Sequence, residues 1–127
     1  MNNKGIVISF FEHVSNGNTD EAFNLVDENV NWWIPGNLPF SGNKSKEEYL
    51  HIVTAIKNGF PTGFKLTLSS VISEDNKVAA EVASSGNHVN GKAYNNKYHF
   101  LFEIENSKIL SVKEYMDTQH LYNLLQA

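Results

Sequence analysis

Residues 94–105 alternate along their whole length, with Tyr94, Asn96, Tyr98, Phe100, Phe102 and Ile104 on one side and Asn95, Lys97, His99, Leu101 and Glu103 on the other. A period of two sustained this far fits a β-strand, and a strand with one aromatic side has to press that side against a cover. Its neighbours repeat the signal. Phe64, Leu66 and Leu68 alternate with Lys65, Thr67 and Ser69, the polar run at 74–77 predicts a turn, and a strand over 78–88 follows. Asn90-Gly91 predicts a type I′ hairpin, which requires positive φ at both central residues. Asn106-Ser107 turns the chain into a last strand over 108–116.

The cover comes from the N-terminal half. Ile6, Val7, Phe10, Phe11 and Val14 recur at helical spacing up to the Asn16-Gly17 breaker. Thr19 offers an N-cap to a short second helix carrying Ala22, Phe23, Leu25 and Val26, with Asp20 and Glu21 in its first turn. Residues 29–34 read as a strand stopped by Pro35-Gly36, and 37–43 as a polar loop. Ser45 and Glu48 form a capping-box pattern ahead of Tyr49, Ile52, Val53, Ile56 and Phe60, so a third helix runs from there to Asn58-Gly59 and Pro61. Asp117 or Thr118 caps a short terminal helix with Leu121, Leu124 and Leu125. The order helix, helix, strand, helix and then four strands predicts an α+β domain, with helices packed on one face of a curved, mostly antiparallel sheet.

Length and composition narrow the functions. At 127 residues the chain suits one domain, 1–127, with no internal repeat or linker. The absence of cysteine excludes a disulfide scaffold, a thiolate metal site and a cysteine nucleophile. A net charge of −4 without a basic cluster gives nucleic acid or an anionic membrane surface nothing to hold. No apolar run approaches the ~20 residues of a bilayer span, and the N-terminus does not read as a signal peptide, so a cytoplasmic location is expected. The five histidines, His13, His51, His88, His99 and His120, show no metal-ligand spacing, and there is no phosphate loop or nucleophile elbow. No metal or cofactor is expected.

The element order resembles the SnoaL-like proteins of the nuclear-transport-factor-like, or ketosteroid-isomerase-like, superfamily. The resemblance rests on Phe10-Phe11 followed by Asn16-Gly17-Asn18-Thr19-Asp20-Glu21-Ala22, on Val30-Asn31-Trp32-Trp33-Ile34-Pro35-Gly36, and on Lys108-Ile109 with the later Glu114-Tyr115-Met116-Asp117-Thr118. It implies a cone in which a bent sheet wraps a long helix around an apolar pocket, and often a homodimer paired through the outer sheet face. The superfamily includes isomerases, polyketide cyclases, epoxide hydrolases, dehydratases and non-catalytic binding domains, so the fold leaves the function open.

With that cone, strand parity predicts a pocket wall of Trp32, Val82, Ser84, His88, Asn96, Tyr98, Phe100, Glu114 and Met116, closed by Phe10, Val14, Tyr49, Val53 and Phe60 from the helices. Such a mostly apolar cavity with few polar groups suits an apolar small-molecule ligand or substrate. Glu114 is the sharpest signal, because it stands between Val112 and Met116 on a face that should be apolar. Burial there raises a carboxyl pKa and makes it a general acid or base near neutrality; the structural alternative is a glutamate reaching solvent or a lysine. The limonene epoxide hydrolase branch requires an aspartate–arginine–aspartate set, and here Val82 and Ser84 stand at the arginine and first aspartate positions, which argues against that reaction. Resemblance to the polyketide-cyclase branch implies essentially one acid/base residue, which this sequence can supply in Glu114.

The enzymatic reading is therefore cofactor-independent proton transfer on an apolar carbonyl compound, of isomerase or cyclase type, with Glu114 as base and Tyr98, Trp32 or Asn96 donating to the oxyanion. Tyr98 has the alternative of bonding a backbone carbonyl in the core. His88 lies either at the cone mouth or in a solvated turn. Trp33, His99, Leu101 and Tyr115 fall on the outer face. The competing functions are ligand binding without turnover, and dimerisation through that face.

Overall fold

The computed structural model describes residues 1–126. Helix α1 (Asn3–Ser15) starts where the Asn2 side chain accepts the Gly5 N–H at 2.8 Å, and ends at Gly17, whose φ of 76° only glycine adopts without strain. Helix α2 spans Thr19–Phe23, strand β1 Val26–Ile34 and helix α3 Lys46–Gly59. The Ser45–Glu48 capping box forms with both reciprocal bonds. Strands β3 (Phe64–Glu74) and β4 (Lys77–Asn87) form a long hairpin, β6 (Lys97–Glu105) and β7 (Lys108–Met116) form another, and α4 (Thr118–Leu125) follows with Asp117 as its N-cap.

Several local expectations are corrected. Asn18, and not Thr19, is the N-cap of α2; the Thr19 hydroxyl instead accepts from Lys57 Nζ at 3.1 Å. Strand β1 begins three residues earlier than residue 29, because Val26 already pairs with Ile109 on β7. The loop expected at 37–43 runs into the edge strand β2 (Gly42–Lys44), paired with β1. The unbroken strand expected over 94–105 is split into β5 (Ala93–Tyr94) and β6. The cause is Asn96, whose Oδ1 accepts from the next residue's N–H, on Lys97, at 2.8 Å, so its side chain competes with the ladder. Gly86 still faces Tyr94 and Ala83 still faces Lys97, so the register and the facing survive the break.

The type I′ turn also lies elsewhere. Positive φ at both central residues occurs at Asn106 (51°) and Ser107 (63°), joining Glu105 to Lys108. At Asn90-Gly91 only Gly91 has positive φ; the loop is longer, closed by Gly91 N–H to His88 O and His88 N–H to Lys92 O, both at 2.9 Å. Tertiary bonding explains this, since Asn90 Nδ2 donates to the Leu124 carbonyl of α4 at 2.7 Å and Asn90 Oδ1 accepts from Lys92 N–H.

The strands form a curved, unclosed sheet in the order β2-β1-β7-β6-β4-β3, with β5 also on β4; only the β1–β7 pair is parallel. Bulges after Leu68 on β3 and after Glu103 at the β6–β7 pair bend it around α1. The concave side holds an aromatic cluster in which Phe10 meets Phe11, Phe23, Trp32 and Phe102 at centroid distances of 5.3–6.3 Å. Each such ring contributes about 1.5–3 kcal/mol through burial. On the convex side Trp33 is half-buried and meets the exposed Tyr115 edge-on at 5.2 Å.

Candidate functional site

The parallel pairing of β1 with β7 places Trp32 opposite Val112, and so brings its indole beside Glu114, two positions on and on the same face. Helix α3 supplies Tyr49 from the turn after its capping box, stacked on Trp32 with centroids 3.8 Å apart and planes 17° from parallel. The polar atoms of both rings converge on one oxygen: Tyr49 Oη donates to Glu114 Oε1 at 2.7 Å and Trp32 Nε1 donates to the same atom at 2.8 Å. No buried polar side-chain atom among the described residues lacks a partner, and Glu114 Oε2 accepts no bond from them, so Oε2 borders open space.

Glu114 is only 8% exposed. Burial raises its pKa above the ordinary carboxylate value, and the two donated bonds, which favour the ionised form, offset only part of that rise. Burial, followed by the neighbouring Glu114 charge, holds the Tyr49 phenol well above its ordinary value, so Tyr49 remains a neutral donor.

The interior is divided. A chamber of about 190 Å³ lies under α4, walled by Glu114, Tyr98, Tyr94, His88 and Met116 with Ile34, Phe40, Leu121, Leu124 and Leu125. A second of about 420 Å³ lies between α1, α3 and the sheet, walled by Phe10, Val14, Trp32, Val53 and Phe100 among others. Tyr49, Ile56 and Phe60, all from α3 or its end, line both and form the septum.

In the acid chamber the Tyr98 and Tyr94 hydroxyls are 2.6 Å apart. Burial is the main cause that raises both phenols, Tyr98 well above its ordinary value, so both are protonated donors at neutral pH. His88 is half-buried, edge-on to Phe60 at 5.2 Å, with Nδ1 accepting the Asn90 N–H. It therefore sits in the wall and not in a solvated turn.

Three residues assigned to the wall lie behind it. Val82, Ser84 and Asn96 are buried on the expected face but line neither chamber. Asn96 is fully engaged: Nδ2 donates to Tyr94 Oη and to the Asp117 carbonyl, both at 3.0 Å, while Oδ1 accepts from Lys97 and Asp117 N–H. Ser84 Oγ accepts the Asn96 N–H at 2.8 Å. Trp32 likewise has its one N–H committed to Glu114. Of the three candidates only Tyr98 lines the acid chamber, and its hydroxyl has a proton to give there when Tyr94 is the donor between the two phenols.

Residues absent from the expected wall include Tyr94, Ile34 and Phe40, the leucines of α4, Phe11, Phe23, Ile56, Phe64, Leu66 and Lys57. Tyr94 shares the alternation of Tyr98 and was legible by parity. The placement of α4 over the chamber follows from Asn90 and Lys92, whose bonds dock it on the loop before β5, and from Asp117, held by Asn96 in the break after β5; nothing local signals it.

Residues 7–112 match the family model of the SnoaL-like domain. No curated protein matches the sequence significantly. Solved structures similar along their whole length include an NTF2-like protein of unknown function from Burkholderia pseudomallei, at 17% identity and a TM-score of 0.88, covering 100% of this chain and 99% of that one. Bal32a from a soil-derived mobile gene cassette is 20% identical with a TM-score of 0.85, over 98% and 96% of the two chains. IdmH from Streptomyces antibioticus, a polyketide-cyclase candidate, is 14% identical with a TM-score of 0.84, over 98% and 99%. At these identities the likeness concerns the fold. With the family pattern running from α1 through most of β7, and the expected cone around a helix-covered interior, this chain belongs to the SnoaL-like family.

Proposed function

We propose that the protein is a cofactor-independent acid/base catalyst of isomerase or cyclase type, acting on an apolar carbonyl compound in the chamber under α4. The observation that carries this is the Glu114 carboxyl, the one acid lining that chamber, with Oε1 held by two neutral donors and Oε2 unbonded by the described residues. Its raised pKa suits proton transfer near neutrality. In the proposed step Oε2 of the ionised form removes a proton from the carbon beside the carbonyl. The C–H electron pair moves into the enolate, Tyr98 donates a hydrogen bond to the enolate oxygen, and the proton returns at a different carbon or after ring closure. Mass spectrometry of the compound that copurifies with the protein identifies the substrate class. On that compound Glu114→Gln is expected to abolish turnover while fold and binding persist, and undiminished turnover overturns the reading.

The larger chamber favours a second reading, binding without turnover, because no carboxylate or histidine lines it. A ligand recovered unchanged after long incubation supports that reading. For the assembly we infer a homodimer through the convex face, where Trp33 and Tyr115 form an aromatic pair with Tyr115 44% exposed. A monomer at micromolar concentration by sedimentation overturns it.

A further inference from the structure

The larger chamber has one property that its carbon walls do not explain. Of all its lining residues only Lys57 carries a charge, and it stands at the rim with Asn16, Gly17 and Thr19 while the interior is aromatic. Lys57 is exposed, in the last turn of α3, and its Nζ donates to Thr19 Oγ1 at 3.1 Å. Among the described residues no carboxylate pairs with it; the ion pairs formed are Lys46–Glu28 and Lys77–Glu103. Asp20 and Glu21 follow Thr19 on α2 but are exposed and take no part in the chamber wall. A cation at the mouth of an aromatic cavity, bonded only to a neutral hydroxyl, matches a molecule with a flat apolar body and one negative end.

We propose that this chamber is a binding site for an amphipathic monoanion, a carboxylate or sulfonate on an aromatic or aliphatic body. The body lies in the apolar interior against Phe64, Leu66, Val53 and Ile56, and the anion sits at the rim on Lys57. The volume of about 420 Å³ is in the range of small-molecule sites. The site adjoins the acid chamber through the septum and takes a different chemistry: shape and one charge at the rim, with no proton transfer. The proposal rests on the reading that the interior binds small apolar molecules.

The test uses two fluorescent probes with the same ring frame, anionic 1-anilinonaphthalene-8-sulfonate and neutral N-phenyl-1-naphthylamine, titrated into the folded protein. Lys57→Gln is expected to reduce the preference for the anion over the neutral probe about threefold, and Lys57→Glu about tenfold, both effects shrinking as salt is added. Val53→Trp, which fills the chamber from α3, is expected to weaken both probes together. Both probes binding with a preference indifferent to Lys57 overturns the anion site and leaves the apolar interior standing. Binding insensitive to Val53→Trp places the probes elsewhere and overturns the proposal. Failure of the anionic probe alone overturns the anion site, and failure of both probes to bind overturns the inference together with the apolar-ligand reading beneath it.

Discussion

The two chambers share Tyr49, Ile56 and Phe60, yet one is a chemical environment and the other a shape. Tyr49 shows why. Its ring stacks on Trp32 and walls the larger chamber, while its hydroxyl crosses the septum to hold Glu114 on the other side. The larger space contains aromatic faces and a rim cation; the smaller contains a buried acid, two linked phenols and a histidine. Burial alone does not leave a polar group available: Asn96 is 2% exposed with all its polar capacity engaged, whereas Glu114, 8% exposed, keeps one oxygen unbonded. The difference lies in satisfaction, not depth.

The sharpest way to break this contrast is Glu114→Gln. Turnover of the copurified compound is expected to fall about a hundred- to ten-thousandfold, the usual contribution of a general base, with probe binding in the larger chamber unchanged. The same substitution alters the pH dependence of stability. Because the folded pKa of Glu114 lies above the ordinary 4.5, the folded protein keeps a proton that the unfolded chain has lost. Stability is therefore expected to fall as pH rises from about that value until Glu114 also ionises in the folded state. Urea unfolding across this range checks it: the decline should vanish in the Gln variant, and its persistence would assign it to another group.

Removing the roof of the acid chamber comes next. Leu124→Ala on α4, a buried side chain, is expected to cost about 2–3 kcal/mol in urea unfolding and to weaken ligands of the smaller chamber selectively. Gly86→Ala acts on the septum itself, since a Cβ there meets Phe60 at 2.9 Å and the Gly63 carbonyl at 3.1 Å. A cost of about 1–3 kcal/mol is expected, with both chambers perturbed at once. The gentlest probe is Tyr49→Phe, which keeps the ring and removes the hydroxyl. It should cost about 1 kcal/mol, raise the Glu114 pKa further by withdrawing a bond that favours ionisation, and leave the larger chamber's ligands unaffected. Weakened probe binding in that variant would show that the chambers are one site.

Much of this was legible in the chain because parity is a local property. Once 94–105 alternated, Tyr98 and Phe100 had to face inward with Asn96, and the same rule sent Trp32 in and Trp33 out. Facing inward proved different from lining a cavity. Val82, Ser84 and Asn96 obeyed the rule and ended behind the wall, because helices decide which inward residues they cover. The Asn90-Gly91 turn departs from its dipeptide preference for a related reason: its type is decided by a bond to Leu124 in a helix more than thirty residues away, which outweighs that preference. Asn106-Ser107, with no such distant partner, adopted the turn that the strand twist favours.

By itself the sequence determined the fold family, the facing of the strands whose alternation it displays and the presence of one acid on an apolar face, since each follows from the period of a few neighbouring residues. Only the tertiary structure decided that Glu114 meets Tyr49 and Trp32, 65 and 82 residues earlier in the chain, on a single oxygen, and that α3 divides the interior in two. Those outcomes depend on how the parallel β1–β7 pair and α3 are set against each other. Such distances are fixed by the packing of whole elements, and no local pattern encodes them.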